Sequence, residues 1–132
     1  MQSNSTTKPP ADRRYLATHE WHKLDGDIVT LGITQFAADE LTDITFVSMP
    51  KIGEKLSAGK RFGEIESVKA TSDLYCGVAG AVTETNTELN SSPGLINSDP
   101  YHKGWIMKVK VASPDDFNKL LSLEDYLKQI GK

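Results

Sequence analysis

From Tyr15 to Ile33 apolar positions alternate with polar ones or run together, and Asp25-Gly26-Asp27, between EWHKL and IVTLGI, suits a hairpin turn. Val29, Leu31 and Ile33 fall on one face of the second strand. Thr34 then stands where a helix N-cap belongs, ahead of QFAADEL, a short helix that Phe36, Ala37 and Leu41 would seat on the sheet. ITFVSM, Ile44 to Met49, reads as a strand stopped by Pro50, and Gly53 and Gly59 bracket a basic, turn-rich connection. In RFGEIESV, Arg61 to Val68, Glu64, Glu66 and Val68 take one face and Ile65 and Ser67 the other, with the glutamates toward water. LYCGVAGAVTETN, Leu74 to Asn86, continues as strand interrupted by Gly77 and Gly80. A loop with Pro93, Gly94, Pro100 and Gly104 leads to WIMKVKV, where Trp105, Met107, Val109 and Val111 share a face that something must cover.

The tail offers that cover. Ser113, Pro114 and Asp116 supply an N-cap, a first-turn proline and an S-x-x-D capping pattern. Phe117, Leu120 and Leu121, then Leu123, Tyr126, Leu127 and Ile130, recur at helical spacing, and Lys128 and Gly131 make an end. Many short strands with little helix before the C-terminus predict a mainly β fold, a sandwich or flattened barrel with short helices and a C-terminal helical segment. Residues 13–132 are expected to form a single domain, and the polar stretch 1–12 a disordered tail without the apolar stretch of a secretory signal.

Composition narrows the classes of function. Fifteen Lys and Arg against eighteen Asp and Glu give a net charge of -3, so no general attraction to nucleic acid or anionic membrane is expected. No run approaches the roughly 18 apolar residues that span a bilayer. The one cysteine, Cys76, has no internal disulfide partner, which suits a reducing compartment, and the short polar stretch 1–12 with its acidic Asp12 fits a transit peptide poorly, so a cytoplasmic location is expected ahead of the mitochondrial matrix.

Candidate chemistry centres on Lys69. In GEIESVKATSDLYCGVAG one strand runs into Val68-Lys69-Ala70 and another returns, which puts Lys69 at a hairpin tip. A tip lysine between short side chains is open to a modifying enzyme, whereas a mid-strand lysine is shielded by cross-strand neighbours. Acylation of a lysine amine removes its charge and lengthens the side chain.

The segment GEIESVKATSDLY resembles the lipoyl-attachment segment of glycine-cleavage H proteins. The resemblance extends from THEW (Thr18 to Trp21) through GITQFA and ITFVSMPKIGEKL to SPGLINSDPYHKGWIMKVK. The tip reads V-K-A after Glu66-Ser67, unlike the D-K-A of dehydrogenase lipoyl domains or the M-K-M of biotinyl domains, and Met107-Lys108 lies within an alternating strand. The resemblance implies a lipoyl-type β-sandwich carrying lipoate as an amide on Lys69, with Glu66, Ser67, Val68 and Ala70 recognised by lipoylation enzymes and partners. It implies a shuttle without turnover of its own, and a monomer. The arm would take an aminomethyl group at a glycine decarboxylase (P protein), deliver it at an aminomethyltransferase (T protein) and be reoxidised by a dihydrolipoyl dehydrogenase (L protein). Thr18, Glu20 and Asp73 match the family positions that line the cleft holding the charged amine. The sequence departs from the family at Phe36, where some members have histidine, at Thr42, usually glycine, and at Cys76-Gly77 in place of Ser-Pro.

Other features have plainer readings. His19 and His22 flank Glu20, but H-E-x-H is not the helical H-E-x-x-H, and three residues along a strand send the rings to opposite faces, so no metal site is expected. Cys76 reads as a packed thiol, Lys51, Lys55, Lys60 and Arg61 as a solvated run, and Trp21 and Trp105 as core or cleft walls. No phosphate loop, nucleophile elbow or triad suggests an enzyme. The alternatives to glycine cleavage are a relay that donates lipoate to other lipoyl domains, and an unmodified binding module.

Overall fold

The computed structural model describes residues 8–132, so the first seven positions of the expected disordered tail lie outside the described residues. Within the remaining five, the Pro10 carbonyl accepts a hydrogen bond from the Tyr15 hydroxyl and Asp12 pairs with Arg13 at 2.9 Å.

Among the described residues nine strands form two antiparallel sheets. The larger has the order β1 (Arg14–Tyr15), β2 (Glu20–Asp25), β3 (Ile28–Ile33), β9 (Met107–Val111), β8 (Gly80–Thr85), β5 (Lys55–Leu56). The smaller has the order β4 (Ile44–Val47), β6 (Lys60–Ser67), β7 (Thr71–Cys76). Between strands lie α1 (Gln35–Leu41), a 3-10 turn (Thr87–Asn90) and α2 (Leu95–Ser98), and after β9 come α3 (Asp115–Asn118) and α4 (Leu123–Gln129). The β2–β3 hairpin closes with Asp25 opposite Ile28, and Gly26 takes φ +62°, the left-handed conformation that glycine adopts without strain.

The buried faces follow the period-2 pattern. Val29, Leu31 and Ile33 of β3, Met107 and Val109 of β9, Ile65 of β6 and Leu74 and Cys76 of β7 belong to one buried cluster, so the two sheets enclose a shared core. Met107, Val109 and Val111 are covered in this cluster by residues of the opposite sheet, and the tail adds to the cover through Leu120 and Phe117. Trp105 leaves that face altogether and joins a second cluster around Tyr15, Trp21, Tyr101 and Tyr126. In that cluster the Trp21 ring lies 2.7 Å from where a Cβ on Gly32 would stand, which only glycine permits.

Other local expectations are corrected. The stretch Leu74–Asn86 is two strands in different sheets, β7 ending at Cys76 and β8 starting at Gly80. The C-terminal helix divides: α3 ends at Asn118, Leu121 bridges to Tyr15, and α4 starts afresh on Ser122, whose hydroxyl accepts from the Asp125 amide at 3.2 Å. A serine that offers its own N-cap is the physical reason for the break. In α1, by contrast, Thr34 caps as expected, accepting from the Ala37 amide, and Ala37 and Leu41 pack on the core beside the fully buried Ala38, while Phe36 instead stacks on His19.

Candidate functional site

Lys69 occupies the turn joining β6 to β7. Glu66 opposes Thr71, and the Ser67 amide donates to the Ala70 carbonyl at 2.8 Å, closing a four-residue loop. The Ser67 hydroxyl braces the tip from inside, accepting from the amides of Lys69 at 3.2 Å and Ala70 at 3.0 Å. The Val68 amide donates to the Asp43 carbonyl at 3.0 Å, tying the tip to the lead-in of β4, while the Val68 side chain stays 70% exposed. Lys69 is exposed, and its Nζ donates to the Glu40 carbonyl at 3.1 Å, in the last turn of α1.

Glu40 also lines a cleft of about 250 Å³ between the start of β2, α1 and the β6–β7 hairpin, so the cleft opens within reach of Lys69. Its apolar lining comes from Ile33, Ala37, Leu41, Ile65 and Leu74, and its polar lining from Thr18, His19, Glu20, Glu40, Ser72 and Asp73. Thr18 and Glu20 thus meet Asp73, distant from them in sequence, in one cleft close to the lysine.

The carboxylates differ in character. Glu20 is 1% exposed; Oε1 accepts from the Thr18 hydroxyl at 2.5 Å and Oε2 from the Tyr75 amide at 2.9 Å. Burial pushes its pKa up to about 7 against the pull of those two donors, so near neutrality it exists in both protonation states. Asp73 is about half exposed, and its Oδ1 accepts from Arg61 Nε at 2.8 Å. Arg61, read from the sequence as part of a solvated run, is thereby part of the surroundings of the site.

Three further participants were not legible as such. Tyr75 contributes only a backbone amide, which no sequence pattern marks. His19 has φ +82° and does not sit on a strand at all; its ring stacks on Phe36 at 5.0 Å and its Nδ1 lies 2.7 Å from the Tyr126 hydroxyl. Tyr126, on the C-terminal helix, reaches the site only through the tertiary fold.

The histidines fall apart in environment more than in facing. His22 is fully buried, its Nε2 accepts from the Gly77 amide at 2.9 Å, and burial lowers its pKa to about 3. Among the described residues no group of three or more His, Cys, Asp or Glu is arranged to hold a metal ion. Cys76 is buried, its Sγ contacting the Val78 carbonyl at 3.2 Å, and burial raises the thiol to about 12. Trp21 and Trp105 pack outside this cleft, Trp105 with the Lys108 ammonium 5.2 Å over its ring. Among the described residues no helix is long and apolar enough to cross a membrane.

Apolar walls that accept a hydrocarbon chain, a carboxylate floor that accepts a cation, and an exposed lysine at the mouth fit a tethered acyl arm carrying a positively charged end. An exposed lysine beside such a cleft is the arrangement that a carrier of a tethered group requires. The family model described as glycine cleavage H-protein matches residues 13–132. A glycine cleavage system H protein from Opitutus terrae is 50% identical over 123 residues, covering 92% of this chain and 97% of its own. One from Carboxydothermus hydrogenoformans is 50% identical over 119 residues, covering 90% and 92%. The crystal structure of a glycine cleavage system H protein from Mycobacterium marinum superposes with a TM-score of 0.86 at 38% identity, covering 94% of this chain and all of that one. The chain belongs to the glycine cleavage H-protein family, and its role is that of the lipoyl carrier in glycine cleavage.

Proposed function

We propose that Lys69 is the residue that carries lipoate, through an amide at Nζ, and that the adjacent cleft shelters the charged end of the loaded arm. The observation that carries this reading is the joint one: a braced, exposed lysine whose Nζ touches the rim of a cleft containing Thr18, Glu20 and Asp73. Bound there, the lipoyl group supplies a dithiolane that accepts the aminomethyl group of glycine.

The chain's own residues bind, orient and exclude water. Ile33, Ala37, Leu41, Ile65 and Leu74 receive the hydrocarbon portion. Glu20, held by Thr18 and Tyr75, pairs with a primary ammonium, and that charge draws the Glu20 proton off. Asp73 offers a second acceptor at the solvent side, shared with Arg61. The Glu20 carboxylate would thus hold the terminal amine of a loaded arm in its charged form, away from bulk water. Glu66, Ser67, Val68 and Ala70 form the surface that lipoylation enzymes recognise.

In this reading residues 13–132 form one carrier domain, monomeric and cytoplasmic, with no turnover of its own. It visits a glycine decarboxylase, an aminomethyltransferase and a dihydrolipoyl dehydrogenase in turn, and tethering keeps the transferred group at high effective concentration. Intact mass of the protein from its native host, followed by peptide mapping across Glu66 to Asp73, tests the assignment. A gain of about 188 Da on Lys69, as amide formation with lipoate requires, supports it; an unmodified Lys69 in cells whose other lipoyl proteins are modified refutes it.

A further inference from the structure

His19 lies between the two cleft residues Thr18 and Glu20 and has φ +82°, a left-handed conformation that side-chain-bearing residues adopt only where their surroundings impose it. The Thr18 hydroxyl meets Glu20 Oε1 at 2.5 Å across this left-handed residue. A change in the backbone at His19 would therefore move the two partners of that contact relative to one another.

Several contacts impose the left-handed conformation. The His19 amide donates to the Leu16 carbonyl at 3.0 Å, and the His19 carbonyl accepts from the Thr34 amide at 2.9 Å. Its ring is clasped between Phe36, stacked at 5.0 Å, and Tyr126, edge-on at 5.7 Å, with Nδ1 2.7 Å from the Tyr126 hydroxyl. That hydroxyl is also 2.8 Å from Thr34 Oγ1, which accepts from the Ala37 amide. All three groups are satisfied when Thr34 gives its proton to Tyr126 and Tyr126 gives its own to His19 Nδ1. A second tie runs from the same helix, Gln129 Nε2 donating to the Ala17 carbonyl at 2.7 Å.

We infer that the C-terminal helix α4 is a working part of the cleft, and that Tyr126, through His19, is a positioning residue that keeps Thr18 on Glu20. The inference rests on the proposed role of the cleft and adds to it an element lying outside the sandwich core. Neither residue needs to touch the arm.

The test uses the unmodified full-length chain, with the Glu20 carboxyl followed by carbon NMR across a pH titration. Thr18→Val serves as the reference, because it removes the hydroxyl donor directly; the Glu20 midpoint, about 7 in the parent, should rise. Tyr126→Phe keeps the ring and its stacking on Tyr15 while removing the hydroxyl. His19→Gly removes the ring and its clasp on Phe36 and Tyr126 while leaving a residue that tolerates φ +82°, so backbone strain does not explain its result, and a thermal melt confirms that the variant is folded over the titration. Both variants should raise the midpoint in the same sense as Thr18→Val, by about a three- to tenfold gain in proton affinity, the equivalent of one hydrogen bond. A parental midpoint in both, with Thr18→Val shifted, overturns the positioning role alone. A parental midpoint in Thr18→Val overturns the Thr18–Glu20 contact on which the cleft reading stands, and this inference with it.

Discussion

Glu20 and Tyr75 are 55 positions apart, yet the buried Glu20 carboxylate accepts the Tyr75 amide at 2.9 Å, so a β2 side chain is fastened to the neighbouring edge of the smaller sheet. The bond joins the two sheets next to the cleft. It also holds an ionisable group that is almost wholly shielded from water, which makes stability near the cleft depend on pH.

The sign is fixed by the direction of the shift. The folded-state pKa of Glu20, about 7, exceeds its ordinary value of 4.5, so between these values the native state holds a proton that the unfolded chain releases. The contribution is fully present below pH 4.5 and is lost as pH rises through 7, by about 3 kcal/mol for 2.5 units at 1.36 kcal/mol each. His22 acts oppositely: lowered from 6.5 to about 3, it contributes stability above pH 6.5 that is lost as pH falls toward 3. Urea midpoints of the parent and Glu20→Gln between pH 5 and 8 separate the two. Glu20→Gln should gain on the parent as pH rises, and parallel curves would show that Glu20 ionises normally.

Thr42 ends α1 with φ +63° and ψ -149°, a region open to glycine and strained for a β-branched residue. The family's usual glycine fits that geometry. Thr42→Gly keeps the backbone carbonyl that accepts from Asn97 Nδ2 at 2.7 Å and removes the strain. A gain of about 1 kcal/mol, after the greater entropy of an unfolded glycine, is expected. A thermal melt raised by a few degrees checks it; a lowered one would show that the threonine side chain compensates.

Gly77 points the other way. Its amide donates to the fully buried His22 Nε2 at 2.9 Å, and a Cβ there would stand 2.5 Å from Leu120 Cδ2. Restoring the family's usual proline would remove the donor and leave a buried ring nitrogen without a partner, in a ring whose Nδ1 already has none. Gly77→Pro should cost about 2–4 kcal/mol. Gly77→Ala keeps the amide and asks the Leu120 methyl, and to a lesser extent Leu16, to give way, so it should cost less. Equal denaturation midpoints for the two would refute the role given to the Gly77–His22 bond.

These residues show what the sequence makes legible. Strand faces such as Val29, Leu31 and Ile33, the Thr34 cap, the β2–β3 turn and the Lys69 tip are local, because periodicity and turn chemistry act over a few residues. Thr18, Glu20 and Asp73 were identifiable by family resemblance, not by any pattern of their own. The Tyr75 amide, the Arg61–Asp73 pair and the Tyr126–His19 contact are products of strand register and helix docking, which spacing along the chain does not encode. The Ser122 cap was legible in principle, but the apolar spacing on either side of it runs on and hid the break between α3 and α4.

Ser67 separates the roles of fold and tip most cleanly. Its hydroxyl accepts from the amides of Lys69 and Ala70 and donates to the Ala70 carbonyl at 3.1 Å, all within an exposed turn. Water can replace an exposed hydroxyl at those amides, so Ser67→Ala should change global stability by less than about 1 kcal/mol. The turn would nevertheless lose the brace that holds Lys69 in one presentation, and an acylating enzyme would meet a spread of conformations instead. Competent enzyme binding then falls with the fraction of chains in the recognised conformation. Lipoyl incorporation into Ser67→Ala, followed by intact mass with a purified lipoylation enzyme, should slow several-fold at low protein concentration, while Lys69→Arg takes up none. Parental incorporation by Ser67→Ala would mean that the enzyme itself orders the tip and reads little of its resting shape.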